Sequence, residues 1–164
     1  MKYYIVTWKP EVGAYSKKDF DTLKIDLRQR GFVDSNWRMR TAAAETRDGV
    51  LIFRQGKETG LMGFGEILSP VSPDEKGVRR CMIRVHNLRD SSELPYLTKQ
   101  ALTDVGIPVG VFNAQASGSR ALSIAETELT DSLCRSSLGH PLDELCRSYQ
   151  DFRHRELIFN RREK

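Results

Sequence analysis

The chain has 164 residues, 39% hydrophobic and 29% charged, with a formal charge of +4 and an isoelectric point near 9.0. That bounds it to one domain of ordinary size with one core and an appended helix. No run approaches the roughly 18 apolar residues that a membrane span requires, and the opening residues lack the apolar stretch and cleavage site of a signal peptide.

Residues 2–8, Lys-Tyr-Tyr-Ile-Val-Thr-Trp, are rich in aromatic and β-branched types and read as a strand that Lys9-Pro10 ends. Ser16 reads as a helix N-cap, with Asp19 completing a variant capping box. Phe20, Leu23 and Leu27 follow at helical spacing and Gly31 supplies the stop, which predicts an amphipathic helix over 17–30. Residues 49–54 form a continuous apolar run typical of a buried strand, and 60–68 read as the next strand. Gly63 and Gly65 fit a strand that coils tightly, as in a small barrel. Met62 and Phe64, two residues apart, are expected on one face of it.

Residues 69–74 are a turn-rich loop. Over 78–86, Cys81, Ile83 and Val85 alternate with Arg80, Met82, Arg84 and His86, so the strand has a buried face and a cationic one. A short helix is expected within 95–105, then an irregular segment to Gly118. Ser123 and Glu126 form a second capping box before a helix carrying Ala125, Leu129 and Leu133 on one face. Gly139 stops that helix and Pro141 opens another, with Leu142, Leu145, Cys146, Tyr149 and Phe152 at helical spacing. Short strands with helices flanking and following them make an α+β layout around a coiled sheet or small barrel.

Three cysteines, Cys81, Cys134 and Cys146, are odd in number and lack Cys-x-x-Cys spacing. That argues against a disulfide framework or zinc site and for a cytoplasmic setting, with each cysteine a small buried apolar residue. His86, His140 and His154 lack metal-ligand spacing, and there is no nucleophile elbow or phosphate loop. His86-Asn87 is the one nuclease-like dipeptide and has little specificity. The expectation is therefore a binding protein with no catalytic residue, metal or cofactor on this chain.

From Lys76 to Arg89 there are five basic residues and no acidic one. Such a run suits phosphate contact, and equally suits an edge strand guarded by cations. Asp34-Ser35-Asn36-Trp37-Arg38-Met39-Arg40 places an indole among short polar groups and two arginines. An aromatic face can stack on a base, short polar side chains can read its edge, and arginines can hold phosphates. The competing reading makes Trp8 and Trp37 core residues with satisfied N–H groups.

Several blocks together resemble the EVE domains of the PUA superfamily, of the kind fused to HNH modification-dependent endonucleases. They are the corner Trp8-Lys9-Pro10, the segment Trp37-Arg38-Met39-Arg40, and the strand–turn–strand Val50-Leu51-Ile52-Phe53-Arg54-Gln55-Gly56-Lys57-Glu58. The glycine-rich strand 60–68 and Ala114-Gln115-Ala116-Ser117-Gly118 complete the set. The resemblance covers residues 1–139, leaving 140–164 as a C-terminal helix or linker toward an absent nuclease domain. The chain departs from the family's pattern at Lys9 and in the 69–76 loop.

The resemblance implies a small twisted barrel with flanking helices. Its pocket would take one nucleotide swung out of modified double-stranded DNA, carrying 5-methylcytosine or 5-hydroxymethylcytosine. On it, Trp37 stacks on the base with Trp8 as second wall or support, Asp34, Ser35 and Asn36 read the polar edge, Met62 and Phe64 wall the methyl group, and Ser117 and Gly118 line the rim. Arg38, Arg40, Arg54, Arg80 and Arg84 are the expected phosphate contacts. The alternative is an RNA-binding relative that reads or serves modified RNA bases.

Overall fold

The computed structural model describes residues 1–8, 16–56, 59–108, 119–150 and 152. In chain order the elements are β1 (Tyr3–Trp8), α1 (Lys17–Arg30), β2 (Val33–Arg38), β3 (Gly49–Arg54), β4 (Gly60–Ile67) and β5 (Ser72–Pro73). They continue with β6 (Arg79–Leu88), β7 (Leu97–Thr98), α2 (Lys99–Asp104), β8 (Ser119–Ala121), α3 (Ile124–Leu138) and α4 (Leu142–Arg147). The class is α+β.

One mixed sheet carries all eight strands in the order β2-β6-β4-β3-β1-β8, with β5 added to β6 and β7 to β4. β1 and β3 run parallel, Tyr3 opposite Gly49 through Trp8 opposite Arg54, and the other pairings are antiparallel. The path begins at β2 and ends at β8, which do not pair with each other, so among the described residues the sheet is open.

Every residue of β1 and of β3 is buried. Alternation sends them into two cores. Tyr4, Val6, Val50 and Ile52 pack on the side that Phe20 and Leu27 of α1 cover. Tyr3, Ile5, Leu51 and Phe53 pack against Leu102, Cys134, Leu138, Leu142 and Leu145 from the other three helices. A strand pair covered on both faces reads as an unbroken apolar run, which is what 49–54 shows. The three cysteines are free and buried.

Both capping boxes form as expected. Ser16 caps α1 with Asp19, Ser123 caps α3 with Glu126, and Gly31 and Gly139 close the two helices at positive φ. Three elements depart from what local sequence suggests. β2 carries no strand signal, because Asp, Ser and Asn have weak strand propensity; its pairing with β6, Val33 opposite Val85 through Arg38 opposite Arg80, overrides that. The short helix within 95–105 is α2, starting only at Lys99, since Leu97–Thr98 pairs with β4. The last helix ends at Arg147, before Tyr149 and Phe152.

Two β-bulges set the phase of the sheet. Ile52 pairs with Gly63 but Phe53 pairs with Leu61, so Met62 is an extra residue. Met62 consequently joins the α1-side core while Leu61 and Phe64 join the other. The expectation that Met62 and Phe64 share a face is overturned by this insertion, which shifts a period-2 pattern by one. Likewise Phe64 pairs with Asn87 and Gly65 with Val85, leaving His86 as the extra residue.

The second bulge turns Asn87 toward α4. There its amide nitrogen donates to the carbonyls of Leu145 and Ser148, at 2.6 and 2.9 Å, and its oxygen accepts from the backbone N–H of Gln150 at 2.9 Å. This 1%-exposed residue ties the chain beyond α4 to the sheet.

Gly65 lets β4 and β6 approach. A Cβ built there would lie 2.5 Å from the backbone oxygen of Arg84, and a ladder strand cannot move aside as a flexible side chain could. Gly65→Ala should therefore destabilise the fold by about 1–3 kcal/mol, the usual range for overpacking, read as a lower urea midpoint. An unchanged midpoint would show that the two strands separate freely.

Candidate functional site

β2 ends its pairing at Val33 opposite Val85, while β6 continues to Leu88. Beside this extension, which pairs with β4 along its other edge, lies a cleft of about 410 Å³, within the range of small-ligand sites. Three segments wall it. α1 presents Lys24, Leu27 and Arg28, which share one helix face by their spacing of three and four. The end of β6 and the loop after it give Leu88, Arg89, Glu93 and Tyr96. The chain past α4, tied by Asn87, gives Tyr149, Gln150 and Phe152.

Glu93 organises the charges. Its carboxylate accepts from Lys24 at 2.5 Å, from Arg89 at 2.9 Å and from the backbone N–H of Asp90 at 2.9 Å. Burial alone would raise its pKa, but these donors outweigh burial and hold the carboxyl at about 2. Arg89 also lies over the ring of Tyr96, 4.5 Å from its centroid. Tyr96 in turn packs against Phe152 at 5.2 Å and Phe64 at 5.5 Å. Glu93 pairs with Lys24 and Arg89, and Arg28 also lines the cleft, so among the described lining residues cations outnumber carboxylates and the walls are aromatic.

The loop between Asp90 and Tyr96 is fixed from several sides. Asp21 of α1 accepts from the Ser91 N–H at 2.7 Å and hydroxyl at 2.8 Å. Asp90 accepts from the N–H groups of Ser92 and Glu93. Arg54 donates to the Ser91 carbonyl at 3.1 Å and the Glu93 carbonyl at 3.5 Å. Arg54 is only 4% exposed. It therefore supports the loop from beneath, which corrects its expected role as a phosphate contact.

The residues expected to capture a base are not brought together. Trp8 is 2% exposed and stacks on Phe20, centroids 3.8 Å apart and planes 7° apart. Trp37 is 5% exposed and donates its indole N–H to Ser35 Oγ on the same inner face of β2. Asp34, Asn36 and Arg38 point to the opposite, exposed face, because strand residues alternate. Asp34 and Asn36 therefore cannot join Trp37 in reading one base. Both tryptophans are core residues here. Met62 and Phe64 are fully buried in separate cores, and Ser117 and Gly118 lie outside the described residues.

The acid-free run from 76 to 89 is partly neutralised across strands. Asp34 accepts from Arg84 at 2.8 and 3.1 Å, a hydrogen-bonded pair that keeps its carboxyl below the ordinary carboxylate range. Asp74 accepts from Arg80 at 2.9 Å, and Arg79 donates to the Arg40 carbonyl at 2.8 Å. Arg38 is on the exposed face of β2, directly opposite Arg80, and Arg40, past the strand's end, is exposed. His86 lies 3.7 Å from Glu66, and burial, outweighing that nearby carboxylate, pushes its pKa down. Among the described residues no cluster of three His, Cys, Asp or Glu is arranged for a metal, and no helix is long and apolar enough to cross a membrane.

No protein-family model matches the chain, and no curated protein shows a significant match. Three solved structures are similar in fold. A hypothetical protein from Leishmania major has a TM-score of 0.50 at 15% identity, covering 85% of this chain and 96% of its own. Rpa0253 from Rhodopseudomonas palustris has a TM-score of 0.53 at 12% identity, covering 84% and 93%. Protein Atu2648 from Agrobacterium tumefaciens has a TM-score of 0.50 at 12% identity, covering 92% and 100%. At these identities the likeness is one of fold.

Glu93 gives the cleft an acid limit. Its folded-state pKa lies below its ordinary 4.5, so its stabilising contribution is complete above that pH and disappears as pH falls toward 2. Urea midpoints of the wild-type protein and Glu93→Gln, followed from neutrality downward, should differ most near neutrality and converge across that window. A difference that stays constant with pH would mean that the Lys24 and Arg89 contacts add nothing to the fold.

Proposed function

We propose that this protein is a nucleic-acid-binding module that takes one extruded nucleotide into the cleft between α1, the Asp90–Tyr96 loop and the chain past α4. The observation that carries the reading is the cleft itself: aromatic side chains for a base to stack on, and an excess of cations for its phosphate. A planar anion is the ligand that uses both. Stacking contributes about 1–3 kcal/mol per base, which together with phosphate contacts can offset the few kcal/mol that extrusion costs.

The exposed face of β2 and β6 supports the same reading. Like charges directly opposite in a sheet are destabilising, yet Arg38 faces Arg80, with Arg40 and Arg79 close by in the chain. Asp74 already pairs with Arg80, and a phosphodiester backbone would add counter-charge beside Arg38. β2 spans roughly 20 Å at strand rise, and a nucleic-acid strand carries one charge per about 3.4 Å of helix axis, so several phosphates fit along it.

The resemblance to EVE domains of the PUA superfamily narrows the target to modified cytosine in double-stranded DNA. It makes the open sheet a relative of the PUA barrel and the chain the sensor of a modification-dependent endonuclease. The pocket residues become Arg28, Arg89, Tyr96 and Tyr149 in place of Trp8 and Trp37. On this reading the chain binds the duplex and the cutting belongs to another domain.

A binding panel tests this: duplexes identical except for one cytosine, 5-methylcytosine or 5-hydroxymethylcytosine, each titrated at several salt concentrations. Arg28→Glu should weaken every duplex and lower the log–log salt slope by roughly 0.9 for each phosphate that is no longer neutralised. Tyr149→Ala should leave the slope and remove the preference for the modified base. The reading fails if the wild-type protein binds no duplex, if both variants bind as the wild type does, or if pure protein cleaves methylated DNA with magnesium.

A further inference from the structure

We propose that Leu94 is a wedge that enters a DNA duplex beside the extruded nucleotide and fills the space its base leaves. The inference rests on the extruded-nucleotide reading above and commits the partner to paired DNA.

The side chain of Leu94 is 69% exposed. Single exposed leucines are ordinary on protein surfaces, but the setting of this one is specific. It belongs to the loop that forms one wall of the cleft, since Glu93 precedes it by one residue and Tyr96 follows it by two. It is the exposed apolar residue of that wall's loop, between two residues that line the cleft.

Its loop is also braced. Asp21 holds Ser91, Arg54 donates to the carbonyls of Ser91 and Glu93, and Lys24 and Arg89 hold the Glu93 carboxylate. Pro95 follows directly, fixing its own φ and confining Leu94 to extended backbone. The Tyr96 N–H then donates to the Leu61 carbonyl at 2.8 Å, anchoring the far side of the tip to β4. A leucine carried on so constrained a tip is presented outward by the fold.

Such a presentation matches the mechanics of extrusion. Swinging a base out removes its stacking partners and leaves an apolar gap that water fills poorly. Proteins that unstack base steps place an apolar side chain there. The cationic cleft sets the adjoining loop against the phosphates, which leaves the exposed apolar tip to meet the base stack.

Binding and base stacking, read together, test the inference. The probe is a short duplex with one 5-methylcytosine and 2-aminopurine as its neighbour, whose fluorescence rises when the step unstacks; the same modified strand alone serves as the unpaired control. Wild-type protein should bind both and raise the duplex signal. Leu94→Ser should lose most of that rise and bind the duplex about tenfold more weakly, since an unfilled gap costs of that order. It should bind the single strand as the wild type does.

Leu94→Phe should keep the rise, and thermal midpoints should be equal for all three because the side chain is exposed. Equal weakening of duplex and single strand by Leu94→Ser would make Leu94 a general contact and overturn the wedge. A full fluorescence rise with Leu94→Ser would also overturn it. If wild-type protein binds neither probe, the extruded-nucleotide reading falls, and the wedge with it.

Discussion

The pairing of β1 with β3 is the constraint on which the rest of the molecule depends. The two strands run parallel in the middle of the sheet and every residue of both is buried. A parallel pair needs a crossover between its strands, and here the crossover contains α1 and β2. A pair buried on both faces needs two covers. α1 supplies one, and the helices that follow the sheet supply the other. The capping boxes of α1 and α3 matter in this light, because a cover must start and stop where the strands beneath it do.

The cleft is the seam where the two covers meet beside the end of β6. α1 comes from one core, Tyr96 and Phe152 pack against the other, and Glu93 sits between them holding Lys24 and Arg89. The charges that close the seam also line the cleft. One carboxylate, that of Glu93, joins Lys24 of α1 to Arg89 just past β6 and so ties the two covers together.

What could be read from the sequence was local. The capping boxes at Ser16 and Ser123, the glycine stops and the alternation of Cys81, Ile83 and Val85 each depend on residues within a few positions of one another, and each is found in place. β2 was hidden because its residues are polar, and only a partner strand makes such a segment extended. The bulges at Met62 and His86 were hidden because one inserted residue has no compositional mark. The acids that pair with the cationic run were hidden because Asp34 stands on the neighbouring strand and Asp74 in the turn before the run. The cleft was illegible because its walls come from segments near residues 24, 90 and 150, none of which is unusual alone. Tyr149 and Phe152, placed on a helix by their spacing, lie past its end.

Asn87 carries a consequence for dynamics. Its side-chain oxygen is the acceptor for the backbone N–H of Gln150, while its amide holds the carbonyls at the end of α4. That N–H exchanges with solvent deuterium only when the aromatic wall lifts from the sheet. Its protection factor is therefore a direct gauge of how often the cleft opens. The amides of β3, which need the whole sheet to part, provide the global scale against which that local opening is measured.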